Sequence, residues 1–330
     1  MRCQPEVDDH KERSPELVEQ HEASGIEALP GRVNRYGEAK RRALDVAKYI
    51  DGVTQRLTPR DDRRRAGQKL AKCGEYLAFR HYFTIDEVRL HAADFCKIHL
   101  MCPLCAIRRG AKALQAYLPR YEAIRALRPD LRPFLVTLTI KDGPDLSERF
   151  EHLKRCQREL WMRKHRGRGC SMDCVEAAVW SYEVKRGSGS GLWHPHLHMV
   201  AMAMTPPNAV DLARDWRSIT SDSFIVDVRP IDQADPVSGF LEVFKYALKF
   251  SDLEPADTVD AWFWLRNRRF IGSAGMFRGI EIPEQLTDEP LDGLPYVEFL
   301  YRWFASGYSL TKRGMGREPH ESRPQAAGAA

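Results

Sequence analysis

Between Pro133 and Phe250 the hydrophobic period keeps switching between two and 3.6 residues, and this alternation constrains the fold more than any other feature. Pro133–Ile140 (PFLVTLTI) is β-branched and apolar, bounded by Pro133 and Asp142-Gly143, and reads as a strand. Leu146–His165 carries Phe150, Leu153, Leu160 and Trp161 at helical spacing. Val175–Lys185 and His194–Met204 read as strands joined by a flexible GSGSG turn, a hairpin. A helix over Ala209–Ile219 follows Pro206-Pro207, then a strand over Phe224–Pro230 and a helix over Val237–Phe250. The order βαββαβ plus one helix predicts an α+β fold of the ferredoxin-like, split βαβ kind. Its sheet should be antiparallel, with helices on one face.

The strongest local pattern lies in the hairpin, Trp193-His-Pro-His-Leu-His-Met-Val200. Alternate residues of a strand point the same way, so His196 and His198 share a face, roughly 6.6 Å apart along it. A turn centred on Ser188–Ser190 lays Glu183 alongside His196. Two imidazoles and one carboxylate with open positions suit Mg²⁺ or Mn²⁺ bound to a phosphate. His194 shares their parity but sits where Pro195 marks the strand entry.

Downstream stands Glu242-Val-Phe-Lys-Tyr-Ala-Leu-Lys249. On a helix Glu242 and Tyr246 share one face, and Lys249 follows three residues on. A tyrosine with a pKa near 10 is a weak nucleophile that needs a cation close by. Lys249 is placed to polarise an attacked phosphate, and Glu242 to act as a general base for water or a second hydroxyl.

Eight cysteines occur, and three of them, Cys96, Cys102 and Cys105, form a pattern with a Cys-x-x-Cys knuckle. A structural Zn²⁺ needs a fourth ligand, either His99 or Cys73. From Ala106 to Cys170 there are 16 Lys and Arg against seven Asp and Glu, although the whole chain is only +5. This segment holds a basic helix, Ala106–Leu127, stopped by Pro129, and predicts a polyanionic partner, nucleic acid first. Arg108 and Arg109 near its start, Lys245, and Arg266, Arg268 and Arg269 in a stretch mixed with Trp262 and Trp264 are the candidate phosphate contacts.

These motifs resemble, in order, those of the HUH endonucleases, in particular plasmid rolling-circle replication initiators of the Rep type. Phe134–Ile140 resembles their first strand motif, His194–His198 their metal motif and Glu242–Lys249 their tyrosine motif. Cys73-Gly74, Cys102-Pro-Leu-Cys105 and Arg108-Arg109 are similar to the N-terminal part of that family. The resemblance implies that His196, His198 and Glu183 hold a divalent metal, and that Tyr246 attacks single-stranded origin DNA to leave a 5′-phosphotyrosine and a priming 3′-hydroxyl. Glu242 stands where some members activate water to end a round. A host helicase, single-strand binding protein and polymerase are implied as partners, and a homodimer is compatible with the chemistry. Two other readings compete: a transposase or mobilisation nickase with the same chemistry, and a non-enzymatic zinc-containing DNA-binding protein.

The chain divides accordingly into a disordered N-terminus over 1–40 (with a helix from Glu38 to Ile50), a zinc-binding, DNA-contacting helical module over 41–130 and the HUH core over 131–255. A helical extension over 256–310 and a disordered tail over 311–330 complete it. No run of 18 apolar residues predicts a membrane helix and the polar N-terminus has no signal-peptide core, so a bacterial cytoplasmic location is expected.

Overall fold

The computed structural model describes residues 25–54, 61–167, 169–245 and 253–318. Helix α1 (Leu29–Thr54) opens it, followed by α2 (Asp62–Lys72), strands β1 (Tyr76–Tyr82) and β2 (Glu87–Ala93), and α3 (Pro103–Leu127). The alternating region supplies β3 (Arg132–Thr139), α4 (Leu146–His165), β4 (Val175–Arg186), β5 (Trp193–Ala203), α5 (Ala209–Thr220), β6 (Val226–Pro230) and α6 (Pro236–Phe244). Helix α7 (Pro255–Leu265) and strands β7 (Ile271–Gly275), β8 (Pro295–Phe304) and β9 (Gly307–Arg317) end it.

The chain is α+β, and every strand pairing is antiparallel. A five-stranded sheet has the order β6-β3-β5-β4-β7, and its first four strands are connected as a split βαβ. A second sheet has the order β2-β1-β8-β9.

The central sheet departs from the expectation of helices on one face. Val136, Leu138, Tyr182, Leu197 and Met199 pack in the core beneath α4 and α5. On the other side Ala177, Val179, Val200 and Met202 join residues of α3 and α6. The unbroken apolar run from Met199 to Ala203, buried throughout, is the mark of a strand covered on both faces. Helix α3 consequently buries one face in the core, against the sheet and α6. Gly110 lets it approach α6: a Cβ there would lie 2.5 Å from the Phe244 carbonyl oxygen.

Several expected boundaries move. Residues from Leu29 onward are helical where a disordered terminus was expected, because Leu29, Val33, Tyr36, Ala43, Val46 and Ile50 form a buried helical stripe between the charges. Pro30 is tolerated because the first turn has no use for its missing N–H. The extension over 256–310 contains one helix but also β7 and β8, and β9 carries strand structure into the expected tail as far as Arg317. Helix α6 stops at Phe244, and Lys245 is extended (φ −60°, ψ −177°), so the helix predicted to Phe250 is not continuous. Tyr246 and Lys249 lie outside the described residues.

Candidate metal centre and adjoining cleft

Glu183 pairs directly with His196 across the β4–β5 hairpin, and Thr137 pairs with His198 across β3–β5. Parity then puts Glu183, His196 and His198 on the face shared with α6. All three are buried, at 5 %, 5 % and 1 % exposure. Glu183 Oε1 lies 3.5 Å from His196 Nε2, and Oε2 lies 3.4 Å from His198 Nε2.

The tautomers follow from the neighbours. His196 Nδ1 faces the His194 carbonyl at 3.5 Å, and a carbonyl only accepts, so Nδ1 carries the proton and Nε2 offers a lone pair. His198 Nδ1 meets the Thr137 hydroxyl at 3.1 Å; when that hydroxyl accepts the Nδ1 proton, the His198 Nε2 is equally free. Burial pushes His196 below its ordinary pKa, against the opposing pull of Glu183, which favours a neutral ring. Two lone pairs thus face a carboxylate in a buried space, and Glu183 Oε2 and His198 Nε2 have no hydrogen-bond partner.

With the proton on Nδ1 of both rings, that arrangement is repulsive unless a cation lies between the groups. Ligand bonds of about 2.1 Å hold neighbouring ligand atoms roughly 3.0–3.5 Å apart, matching the observed spacing. The N₂O donor set with open positions therefore fits a divalent ion. His194 stands apart, its Nδ1 engaged by Asp142.

A cleft of about 350 Å³ lies beside the end of α6, lined by Ser181, Phe244, Lys245, Arg109, Arg268 and Arg269 among others. Ser181 is two residues before Glu183 on the same face, and its hydroxyl donates to the Val243 carbonyl, docking α6 on the sheet. Four of the predicted phosphate contacts thus converge here. Each is held in place: Lys245 Nζ by Glu242 at 2.5 Å, Arg109 by the carbonyls of Ile282 and Pro283, Arg268 by Glu151, and Arg269 by its own Ile271 carbonyl.

The other two candidates are elsewhere. Arg108 is buried and donates to Asp288, the Leu286 carbonyl and the Tyr36 hydroxyl, so it is a structural cation rather than a surface phosphate contact. Arg266 pairs with Asp62 at 2.9 Å and lies over the Trp262 and Phe263 rings. Of the aromatic stretch, Trp262 is core and Trp264 is 54 % exposed.

Cys73, Cys96, Cys102 and Cys105 form a second group, with all ligand atoms within 4.8 Å of one another. Cys73, Cys102 and Cys96 reach one another or Cys105 at Sγ–Sγ distances of 3.5–3.6 Å. Zn–S bonds of about 2.3 Å in a tetrahedron give S–S edges of about 3.8 Å, so four thiolates here fit one zinc. The open choice of a fourth ligand falls on Cys73, while His99 lines the cleft instead. Lys40, 1 % exposed, donates to the carbonyls of Ala71 and Cys73 at 2.6 and 2.7 Å and offsets the charge of such a site.

Sequence reasoning missed Thr137, Ser181 and Lys40. The first two were legible in principle, since both lie at the parity of the triad in recognised strands. Lys40 carried no signal distinguishing it from a surface lysine.

Residues 87–208 match a family model described as "Replication protein". That span contains the histidine motif, Glu183 and three of the four cysteines. A curated relative, "Protein rep" from Bacillus sp, is 24 % identical over 265 residues, covering 68 % of this chain and 82 % of its own length. No solved structure matches. No described helix is long and apolar enough to cross a membrane. By both comparisons the chain is similar to replication proteins of the Rep type, the kinship that its motifs carry.

Proposed function

We propose that this protein initiates plasmid rolling-circle replication by nicking and rejoining single-stranded origin DNA. The observation that carries the reading is the buried Glu183–His196–His198 group, in which Glu183 Oε2 and His198 Nε2 lack partners and the three ligand atoms suit one divalent ion. A Mg²⁺ or Mn²⁺ ion held there would polarise the scissile phosphate and neutralise charge as it builds on the oxygens. The split βαβ sheet serves as the HUH core that presents these ligands.

Tyr246 follows Lys245, which lines the cleft on the same sheet face. Its phenolic oxygen attacks phosphorus and loses its proton to solvent. The P–O3′ bond breaks, the 3′-oxygen takes up a proton, and the 5′-phosphate stays on the tyrosine. Lys245, Arg109, Arg268 and Arg269 hold the flanking backbone, and Lys249 polarises the attacked phosphate. Glu242, now paired with Lys245, accepts a proton from water when the last junction is cut. The four cysteines would hold a structural zinc, which would fix Cys102 and Cys105 at the start of α3.

The test is a covalent-adduct assay with Mn²⁺ and a randomised single-stranded DNA pool carrying candidate origin sequences. The expected result is a denaturation-resistant protein–DNA band, absent from Tyr246→Phe and from His196→Ala. An adduct that survives Tyr246→Phe would refute the assigned nucleophile. One that survives His196→Ala and excess chelator would refute the metal.

A further inference from the structure

We infer that a nucleotide of single-stranded DNA binds in a second cleft, on the sheet face opposite the triad. Strand alternation puts Trp180 and Ser181 on opposite faces, so the cleft at Trp180 lies across the sheet from Glu183. It measures about 270 Å³ and lies between α4 and the β4–β7 edge, with Gln157, Trp161, Trp180, Lys154, Arg158 and Arg278 in its wall. That size is near the lower end of ligand sites, roughly 300–1,000 Å³, and suits one nucleotide better than a large cofactor.

Two donors in this wall have no acceptor. Gln157 is 5 % exposed and its Oε1 accepts from the Tyr182 hydroxyl at 3.2 Å, which fixes the amide so that Nε2 is left over. Both Gln157 Nε2 and the indole Nε1 of Trp161, a residue 9 % exposed, are buried without a hydrogen-bond partner. Buried donors are rarely left unpaired, so such a pair points to an incoming acceptor.

The rest of the wall says what kind. Trp161 and Trp180 stack with ring centroids 5.6 Å apart and planes at 29°. Lys154, Arg158 and Arg278 form no ion pair among the described residues, and no Asp or Glu lines the cleft. An aromatic wall, unpaired donors and unneutralised cations match a base with carbonyl and ring-nitrogen acceptors joined to a phosphate. Strand β7 is the sheet's edge, so a strand leaving the triad reaches this cleft by passing round β7.

The choice of DNA as the source of that nucleotide rests on the proposed function; the cleft itself does not. The experiment uses the full chain in chelator, with a thymine-rich single-stranded oligonucleotide carrying 5-iodouracil. Photocrosslinks are expected on Trp161 or Trp180. Gln157→Leu should weaken binding about tenfold. Arg158→Ala, an exposed-side change, should lower the slope of log K against log salt by about 0.7, the loss of one phosphate contact on a single strand. His196→Ala and Tyr246→Phe should leave crosslink and slope unchanged, which separates this result from any failure of the nicking reading. Crosslinks confined to the triad face, or an unchanged slope in a folded Arg158→Ala, would overturn the site. Inorganic phosphate competing as well as thymidine 5′-monophosphate would reduce it to an anion patch and overturn the nucleotide assignment.

Discussion

Thr137→Val tests the metal centre without touching a ligand. Valine replaces the hydroxyl with a methyl of similar size, so the packing around β3 is kept. What is lost is the 3.1 Å contact to His198 Nδ1, on a ring that is 1 % exposed. A buried N–H left without an acceptor costs about 1–3 kcal/mol. The ring escapes that cost by moving its proton to Nε2, where Glu183 Oε2 at 3.4 Å accepts it. The metal-free variant should therefore unfold within about 1 kcal/mol of wild type. The same rearrangement blocks the metal lone pair, so an incoming ion must drive the proton back. Such outer partners are worth about 10–100-fold in metal affinity, or about 1.4–2.7 kcal/mol. Calorimetric titration with Mn²⁺ should show that weakening, with Thr137→Ser close to wild type. A Val variant that binds Mn²⁺ as tightly as wild type would refute the tautomer argument. A Ser variant as weak as Val would show that packing, not the hydroxyl, was responsible.

Other outcomes follow from the same geometry. Purified protein should carry one zinc per chain by metal analysis; Cys73→Ser should lose it and lower the unfolding temperature, whereas His99→Ala should keep it. Asp288 bridges buried Arg108 and Lys112 at 2.5 and 3.0 Å, so Asp288→Asn should destabilise the fold by about 3–5 kcal/mol in urea unfolding. Burial alone would raise the Asp288 pKa, but Arg108 and Lys112 hold it well below the usual carboxylate range. Its contribution is therefore present above about pH 4 and lost as pH falls further, so the gap between wild type and Asp288→Asn should close on acidification. Gly110→Ala, whose methyl meets the Phe244 carbonyl at 2.5 Å, should cost about 1–3 kcal/mol and, by displacing the end of α6 just before Tyr246, reduce adduct formation.

The Glu183–His196–His198 triad was legible because a strand has a rigid two-residue period and a hairpin a short turn. His196, His198 and Glu183 could be aligned from residue types alone, and the observed register pairs Glu183 with His196. The cysteine group was half legible, since a knuckle announces itself locally but a thiol 23 residues before Cys96 does not. Arg108 and Arg109 looked alike as neighbouring basic residues, yet one is buried against Asp288, 180 positions away, and the other lines the cleft.

Short-range spacing was enough for the order of elements from β3 to α6, the parity of the triad and the resemblance to Rep replication proteins. Which faces of the central sheet are covered, which arginines remain available and where the Trp161–Trp180 cleft forms are settled in three dimensions. Those outcomes depend on segments far apart in the chain: α3 is buried against α6, and β8 and β9 complete the sheet begun by β1 and β2. Local periodicity tells how much apolar surface a segment must bury, but the partner that buries it is set by long-range packing.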